Sequence, residues 1–171
     1  MKSDVIIRHA VSTDVPSITE IYNEAILTTT ATFDTETKSS ADMERWFASH
    51  GERHPVLVAE SERQVVGWAS LTRWSARPAY DETAETAFYV KAEWRGEGIG
   101  RQLKAATIDE ARRLGFHSLV ARVAKGSDES LHLNQSFGFE IVGTFKQVGR
   151  KFGKLLDVHM LQKMLDDGTV E

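Results

Sequence analysis

The sequence predicts a mixed α/β fold, with one sheet that carries helices on both faces. Short apolar runs typical of strands alternate with segments of helical periodicity, in the order β-α-α-β-β-β-α-β-α-β-β. A glycine-rich segment, residues 95–100, lies between an apolar run and a helical stretch, as in a strand-turn-helix unit. Two apolar runs near the C-terminus follow each other without a helix between them, which is typical of an antiparallel pair.

The first half of the chain is predicted to contain three strands and two helices. Ser12, Thr13 and Asp14 are N-cap residues for a helix whose apolar side chains recur at helical spacing from Val15. A threonine-rich loop separates this helix from the next one, and a polar turn joins the two strands of a hairpin. The predicted elements are the strand 5–8, the helix from residue 15, the loop 28–37, a helix capped by Ser39 and Ser40 that ends near residue 49, the strands 56–59 and 65–69, and the turn 60–63.

The second half is predicted to contain four strands and two helices. The loop 74–80 precedes the fourth strand, which leads into the glycine-rich segment. Leu103, Ala106, Ala111 and Leu114 form the expected buried side of the following helix. The predicted elements are the strand 84–91, the helix 101–114, the strand 119–123, the helix 128–137, which Gly138 ends, and the antiparallel strands 139–145 and 156–161.

Composition favours a single globular domain across all 171 residues. Apolar residues make up 41% of the chain and cysteine is absent, which excludes a disulfide framework and a thiolate metal site. The apolar runs are far shorter than a membrane span, and Met1-Lys2-Ser3-Asp4 lacks the apolar core of a signal peptide, so we expect a cytoplasmic protein. The net charge of −4 disfavours a nucleic-acid partner, and the histidines show no metal-ligand spacing. We interpret the basic cluster in residues 146–154 as a solvated face or a contact to a cofactor phosphate.

Gly96, Gly98 and Gly100 stand at alternate positions between the fourth strand and the next helix. Such a turn can direct several backbone N–H groups to one point, and the helix N-terminus adds unpaired donors and partial positive charge. The segment therefore predicts a pyrophosphate cradle. It lacks the Gly-Lys-Ser/Thr ending of a P-loop, and its spacing differs from the Gly-x-Gly-x-x-Gly of a dinucleotide-binding turn. Taken alone, the six residues also fit a glycine-rich loop that caps an ordinary helix.

Four segments carry a resemblance to a known family. They are Arg95-Gly96-Glu97-Gly98-Ile99-Gly100; Ile21-Tyr22-Asn23-Glu24-Ala25; the stretch from Arg77-Pro78-Ala79-Tyr80 through Thr83-Ala84-Glu85 to Tyr89-Val90; and Val148-Gly149-Arg150-Lys151-Phe152-Gly153-Lys154, followed by Leu156-Asp157-Val158. The first resembles Arg/Gln-x-x-Gly-x-Gly/Ala, the acetyl-coenzyme A motif of the GCN5-related N-acetyltransferases (GNAT). The other three are similar to motifs of the phosphinothricin acetyltransferase branch of that family.

The resemblance implies the GNAT fold, a mixed and mostly antiparallel sheet whose fourth and fifth strands splay apart, with helices on both faces. It implies acetyl-CoA as the cosubstrate, bound between those two strands, and no metal. The backbone N–H of Val90 is expected to polarise the thioester carbonyl. The residues expected to contact the cosubstrate are Phe88, Tyr89, Val90, Arg95, Gly96, Glu97, Gly98, Ile99, Gly100, Arg101, Ser127, Ser130 and Asn134.

Glu85 matches the glutamate that the phosphinothricin branch is proposed to use as a base. A positioned base accelerates proton removal from an amine by about 10²–10⁴-fold. From its position alone, Glu85 also fits a solvated strand carboxylate. The family's Asn at the start of the next helix corresponds to Ser127, which we expect to cap that helix. The family's His or Tyr acid corresponds to Asn134, which cannot deliver a proton, so water is expected to protonate the departing thiolate.

The implied acceptor is a small amino acid analogue of the phosphinothricin, methionine sulfoximine or methionine sulfone type, acetylated directly on its α-amino group. Arg77 is expected to hold its carboxylate. The other expected acceptor contacts are Tyr22, Thr30, Phe33, Trp74, Tyr80, Glu85, Thr86 and Ala87. A homodimer is the implied assembly. Two alternatives stay open: a protein or peptide N-acetyltransferase with a shallow groove, and a coenzyme A-binding regulatory module without turnover.

Overall fold

The computed structural model describes residues 4–165. The strands are β1 (Ile6–His9), β2 (Val56–Ser61), β3 (Gln64–Arg73), β4 (Thr83–Val90), β5 (Ser118–Ala124), β6 (Glu140–Lys151) and β7 (Lys154–Met164). The helices are α1 (Val15–Thr28), α2 (Ser40–Ser49), α3 (Ile99–Arg113) and α4 (Asp128–Ser136). The strands form one seven-stranded sheet in the order β1-β2-β3-β4-β5-β7-β6. Every neighbouring pair is antiparallel except β4 and β5, which confirms the predicted mixed fold.

The helices cover both faces of the sheet, as predicted. One core joins α1 and α2 to β2 and β3 and includes Ile18, Met43 and Trp68, with Tyr89 of β4 packed against it. On the other face α3 packs on the sheet, with Phe88 of β4 against its first turns. Successive side chains of a strand point to opposite faces, so β4 contributes to both cores. No helix between residues 4 and 165 is long and apolar enough to cross a membrane.

The start of α1 differs from the prediction. Ser12–Asp14 form a separate 3₁₀ turn, and no side chain caps α1. The Asp14 carboxylate instead accepts from the Val11 N–H at 2.8 Å and pairs with Arg8 of β1 at 2.8 Å. Arg8 lowers the pKa of Asp14 through this hydrogen-bonded pair. The acidic residue therefore ties the helix start to the sheet edge rather than serving as a helix cap.

The predicted capping of α2 is confirmed. The Ser39 hydroxyl accepts from the Asp42 N–H, and the Asp42 carboxylate accepts from the Ser39 N–H, both at 3.1 Å. The following hairpin turn is tighter than predicted. Only Glu62 and Arg63 separate β2 from β3, and both have positive φ, 51° and 64°. Two consecutive residues with positive φ are typical of a two-residue hairpin turn. The two strands therefore pair up to the residues on either side of the turn, Ser61 and Gln64.

The parallel pair β4–β5 is short. It joins only Thr83 to Ser118, Ala84 to Leu119 and Glu85 to Val120. Beyond Glu85, β4 continues along β3 as far as Val90, while β5 continues along β7. The two strands therefore separate after Glu85, and the implied splay is confirmed. We call the opening between Thr86–Val90 and Ala121–Ala124 the β4–β5 gap.

The buried side of α3 was only partly predicted. Leu103 and Ala111 are buried, whereas Ala106 and Leu114 are half-buried. The buried set is Ile99, Leu103, Lys104, Thr107, Ile108 and Ala111. The prediction missed Ile99, which precedes the predicted start of the helix, and Ile108. It also missed Lys104 and Thr107, because it considered apolar side chains alone.

The final hairpin is longer than predicted. β6 and β7 extend to Lys151 and Lys154 and turn at Phe152 and Gly153, with φ of 50° and 75°. A register shift between Phe145 and Gly149 interrupts their pairing. The basic motif of residues 148–154 therefore forms the end of a hairpin. Its Lys151 is buried, so the interpretation of the cluster as a solvated face is wrong for that residue.

Candidate active site

A cavity of about 590 Å³ occupies the β4–β5 gap and the space beside it. That volume is within the range of small-molecule sites. Its wall comes from both faces of the sheet, because Glu85, Ala87 and Tyr89 alternate along β4 with Thr86 and Phe88. The predicted site residues that line it are Thr30, Phe33, Trp74, Glu85, Thr86, Ala87, Phe88, Tyr89, Ser127, Ser130 and Asn134.

Glu85 lies at the point where β4 and β5 separate. Its side chain is 25% exposed, and its Oε1 is 3.1 Å from the Nε of Arg122 on β5. The Arg122 guanidinium in turn lies 5.4 Å from the centre of the Trp74 ring. Burial raises the pKa of Glu85, and the charge of Arg122 opposes part of that rise. A carboxylate with a raised pKa at a cavity wall is a suitable proton acceptor.

Lys104 lies on the other face of the sheet. Its Nζ donates to the Thr86 hydroxyl at 2.7 Å and lies 4.0 Å from the centre of the Phe139 ring. Burial lowers the pKa of this ammonium from 10.5 to about 7. Glu85 and Lys104 therefore line one cavity from opposite faces of the sheet, and burial moves both of their pKa values toward neutrality.

α4 supplies polar groups to the Lys104 side of the cavity. The Asn134 amide donates to the Ser130 carbonyl at 2.8 Å, while its buried Oδ1 has no hydrogen-bond partner within residues 4–165. The Ser127 hydroxyl lies 3.4 Å from that of Thr30 and makes no cap bond to α4, so the expected capping role of Ser127 is wrong. An unpaired buried acceptor beside a cavity is typical of a binding site.

The loop 30–34 forms the wall on the Glu85 side. The Tyr22 hydroxyl donates to the carboxylate of Asp34 and lies 3.0 Å from the hydroxyl of Thr32. Lys151 of β6 donates to the Thr32 carbonyl at 2.7 Å. The Phe33 ring packs so closely on Gly149 that a Cβ there would lie 2.3 Å from it. The loop is thus held by α1 on one side and by the β6–β7 hairpin on the other.

The glycine-rich turn lies beside the cavity rather than in its wall. Gly96 and Gly98 have φ of 80° and 79°, and no atom lies within 4 Å of a Cβ placed on either. Gly100 is different, since a Cβ there would lie 3.0 Å from the Phe88 ring. Ile99 is 1% exposed, and its side chain lies in the core. Left-handed glycines before a helix leave N–H groups open toward the space above the helix N-terminus.

Arginines hold this turn in place. Arg95 donates to the Val90 carbonyl at 3.1 Å and pairs with Glu24 of α1 at 3.3 Å. Arg101 donates to the Ser136 hydroxyl at 3.1 Å, which joins the start of α3 to the end of α4. Val90, Arg95, Gly96, Glu97, Gly98, Ile99, Gly100 and Arg101 therefore adjoin the cavity at the end of β4 without lining it.

Three of the expected acceptor residues are not part of the cavity wall: Tyr22, Arg77 and Tyr80. Arg77 and Tyr80 are exposed, and Tyr22 lies behind the loop 30–34. Burial raises the pKa of Tyr22 to about 12, so its hydroxyl stays protonated.

The sequence did not single out Arg122 and Lys104 of the wall, nor Phe145 and Met160 of the final hairpin. Val148 and Val158 belong to a quoted motif but were not expected to line the site. A signal for Lys104 was available. It stands four residues before Ile108 and one after Leu103, so it falls on the buried side of the predicted helix. Arg122 gave no such signal, because its role depends on which strand lies beside Glu85. Within residues 4–165, no group of His, Cys, Asp and Glu is placed to hold a metal ion.

Comparisons with known proteins agree with this geometry. A model of the acetyltransferase (GNAT) domain matches residues 7–160. The L-amino acid N-acyltransferase MnaT of Escherichia coli (strain K12) is 39% identical over 164 residues, covering 95% of each chain. The L-methionine sulfoximine/L-methionine sulfone acetyltransferase of Pseudomonas aeruginosa PAO1 is 38% identical over 162 residues, covering 94% of each chain. A solved phosphinothricin acetyltransferase from Sinorhizobium meliloti, in complex with AcCoA, has a TM-score of 0.92 at 35% identity, covering 96% of this chain and 90% of that one.

Proposed function

The chain belongs to the GNAT N-acetyltransferase family, whose cosubstrate is acetyl-CoA, and we propose that it acetylates the α-amino group of a small amino acid or amino acid analogue. The single observation that carries the proposal is the cavity through the β4–β5 gap, with a carboxylate on one face and a helix-flanked polar wall on the other. The loop 30–34 supports a small acceptor, because its residues 30–33 form a wall of the cavity on the Glu85 side. We propose one acetyltransferase domain, since all described strands share one sheet.

We propose that the turn of residues 95–100 binds the pyrophosphate of acetyl-CoA. The open space at Gly96 and Gly98 fits this role, since a side chain on either would enter it. The unpaired Asn134 Oδ1, together with Ser127 and Ser130, is placed to bond the amide-rich arm of the cosubstrate. The backbone N–H of Val90 remains our candidate for polarising the carbonyl. Acetyl-CoA supplies the acetyl group as an activated thioester.

Gly98→Val should abolish the stabilisation that acetyl-CoA gives to the fold. At a concentration 100 times its dissociation constant, the ligand should add about 2.7 kcal/mol to the free energy of unfolding of the unmodified chain, which thermal denaturation measures as a raised Tm. Gly115→Val is the matched control, because Gly115 has the same φ of 79° and the same open space, at the far end of α3. An undiminished Tm shift in Gly98→Val would place the cosubstrate elsewhere.

We propose that Glu85 is the base and that transfer is direct. The raised pKa of Glu85 makes it a better proton acceptor than an exposed carboxylate. Direct transfer is supported by the cavity, which is lined from both faces and so gives an amine and a thioester access to one point. The absence of cysteine also removes the most nucleophilic side chain for an acetyl-enzyme route.

Glu85→Gln should lower kcat by about 10²-fold or more, because the amide keeps the shape of the side chain but cannot accept a proton. Affinity for acetyl-CoA should be unchanged, as measured by calorimetry. Glu82→Gln, an exposed position just before the same strand, is the control and should retain wild-type turnover. Turnover by Glu85→Gln within threefold of wild type at pH 6–8 would contradict the assignment.

Two arginines are candidates for the acceptor's carboxylate. Arg77 has the position that the resemblance implies, but it is exposed and outside the cavity wall. Arg122 lines the cavity beside Trp74 and Glu85. We propose Arg122 as the main contact, because a carboxylate bound there would place the adjacent amino group near the base.

Arg122→Ala should raise KM for methionine sulfoximine, methionine sulfone or phosphinothricin by about 10- to 100-fold, since a charge-assisted pair contributes about 1.5–3 kcal/mol. The amide of the same acceptor tests the reason for the loss. Its KM should change little in Arg122→Ala if Arg122 binds the carboxylate, and as much as that of the acid if Arg122 acts only on Glu85. Arg77→Ala should change KM by less than about threefold. If Arg77→Ala instead raised KM by about 10- to 100-fold and Arg122→Ala by less than about threefold, Arg77 would be the residue that binds the acceptor's carboxylate.

Assays with different acceptors also distinguish the proposed function from the two alternatives. A protein or peptide N-acetyltransferase should prefer an N-terminal peptide over the free amino acids, and a regulatory module should bind acetyl-CoA without releasing free thiol with any acceptor. The cavity wall formed by residues 30–33 and the placement of Glu85 favour the small-molecule enzyme over both.

We propose a homodimer that forms through the β6–β7 hairpin. β6 is an edge strand, and apolar residues of this hairpin are exposed, among them Val142 at 62%. Exposed apolar side chains on an edge strand are typical of a self-association surface. Val142→Lys should therefore shift the protein from dimer to monomer in sedimentation velocity. Val11→Lys, at a residue 53% exposed near the opposite sheet edge, should remain dimeric. A monomeric wild-type protein, or a dimeric Val142→Lys, would contradict the proposal.

A further inference from the structure

Lys104 occupies an unusual place for a lysine, on the buried side of α3 and in the cavity wall. The residue is 2% exposed. Lysine is almost never fully buried unless a carboxylate pairs with it, and here its contacts are the Thr86 hydroxyl and the Phe139 ring. An ammonium has three N–H donors, so donors remain for a group inside the cavity.

The groups that contact the Lys104 ammonium are neutral: the Thr86 hydroxyl of β4 and the Phe139 ring just before β6. Ala121 of β5 and Ser130 and Asn134 of α4, also neutral, line the same cavity. The charged pair of the wall, Glu85 and Arg122, lies on the opposite face of the sheet. Arg101, on α3 itself, is exposed and bonded to Ser136. Burial is accordingly the cause of the lowered pKa of Lys104, about 7.

A positioned proton donor, as well as a base, can accelerate acetyl transfer from a thioester. When an amide forms, the sulfur leaves with the electron pair of the C–S bond and takes up a proton. On the Lys104 side of the cavity, Asn134 has an amide that does not titrate, and Ser127 and Ser130 have hydroxyl groups that stay protonated near neutral pH. Lys104 is the one ionisable side chain that the structure, over residues 4–165, places in that part of the wall.

We propose that Lys104 is the general acid of the reaction, an inference that rests on the proposed acetyltransferase function. The C–N bond forms while Glu85 accepts the proton that the amine loses. The C–S bond breaks, its electron pair goes to sulfur, and the Lys104 ammonium gives that sulfur a proton. The products are the N-acetylated acceptor, coenzyme A as its thiol and a neutral Lys104. Glu85 returns its proton to water, and Lys104 takes one up from water, so both groups recover their starting states.

The direction of proton transfer is favourable. An ordinary thiol has a pKa of about 8.5, whereas the pKa of Lys104 is about 7. The ammonium is therefore a stronger acid than the thiol it would form. An exposed lysine, with a pKa of 10.5, would be the weaker acid of the two. Burial of Lys104 thus makes this side chain suitable as a donor near neutral pH.

The first test is the pH dependence of kcat in Lys104→Met. Methionine is close in size to lysine and apolar, so it fits the buried site. We expect kcat to fall by about 10²-fold or more, with KM for acetyl-CoA within threefold of wild type. The wild-type profile should decline above a pKa near 7, where Lys104 loses its proton, and this decline should be absent in the variant. Lys163→Met, the same change on β7 outside the cavity, should keep both kcat and the decline.

The second test replaces the leaving group. Acetyl-seleno-coenzyme A releases a selenolate, which is a much weaker base than a thiolate and leaves without a proton. With this substrate, the kcat defect of Lys104→Met should shrink to less than about tenfold. An equal defect with the thioester and the selenoester, or an unchanged pH profile, would show that Lys104 only maintains the shape of the wall and would overturn the proposal.

The third test needs no substrate. Below pH 7 Lys104 is protonated in both the folded and unfolded chain, and between about pH 7 and 10.5 the unfolded chain holds the proton more tightly. The free energy of unfolding of the wild type, relative to Lys104→Met, should therefore rise with pH across that window and level off above it. A flat difference from pH 7 to 10 in urea denaturation would overturn the proposal. Lys104→Gln provides a second variant if Lys104→Met does not fold.

The outcomes separate the two proposals. A wild-type protein that acetylates no acceptor contradicts the acetyltransferase function, whatever the denaturation series shows. An active wild type with an equally active Lys104→Met contradicts only the role of Lys104.

Discussion

The short parallel pairing of β4 with β5 is the constraint on which the rest of the site depends. After Glu85 and Val120, each strand continues with its other neighbour, β3 or β7, and those pairings extend to the strand ends. The sheet therefore opens in its middle while every strand keeps a hydrogen-bonded partner, which avoids the large cost of unpaired buried backbone groups. The opening gives one cavity access to side chains of both faces, and no single face of a continuous sheet could do so.

The residues of the family motifs near the β4–β5 gap mainly hold the loop 30–34 in position. Tyr22 and Lys151 hold the loop 30–34 by hydrogen bonds to Asp34 and to the Thr32 carbonyl. Asn23 forms hydrogen bonds to the N–H and the carbonyl of Lys38, which follows that loop in the chain. Gly149 lets the Phe33 ring approach the hairpin backbone. The motif segments 21–25 and 148–154 are far apart in the chain, but both contact the loop 30–34.

Burial shapes the electrostatics of the site on both faces. It raises the pKa of Glu85 and lowers that of Lys104, because desolvation disfavours the charged form of each group. The charge of Arg122 limits the rise in the pKa of Glu85, whereas desolvation by burial is the cause of the lowered pKa of Lys104. Two groups with pKa values moved toward neutrality, on opposite sides of one opening, match the roles of base and acid that we propose for Glu85 and Lys104.

The sequence alone determined the order of the elements, the glycine turn, the capping of α2 and the placement of Glu85 just before that turn, because these depend on local periodicity and backbone conformation. The resemblance added the splay of β4 and β5. Only the tertiary structure decided which residues meet in the cavity. Arg77 stands in the expected segment yet is exposed and does not line the cavity, whereas Arg122 of β5 and Lys104 of α3 do. Those contacts depend on strand order, on side-chain alternation and on the register of a helix against the sheet, and none of these is a property of a local stretch of chain.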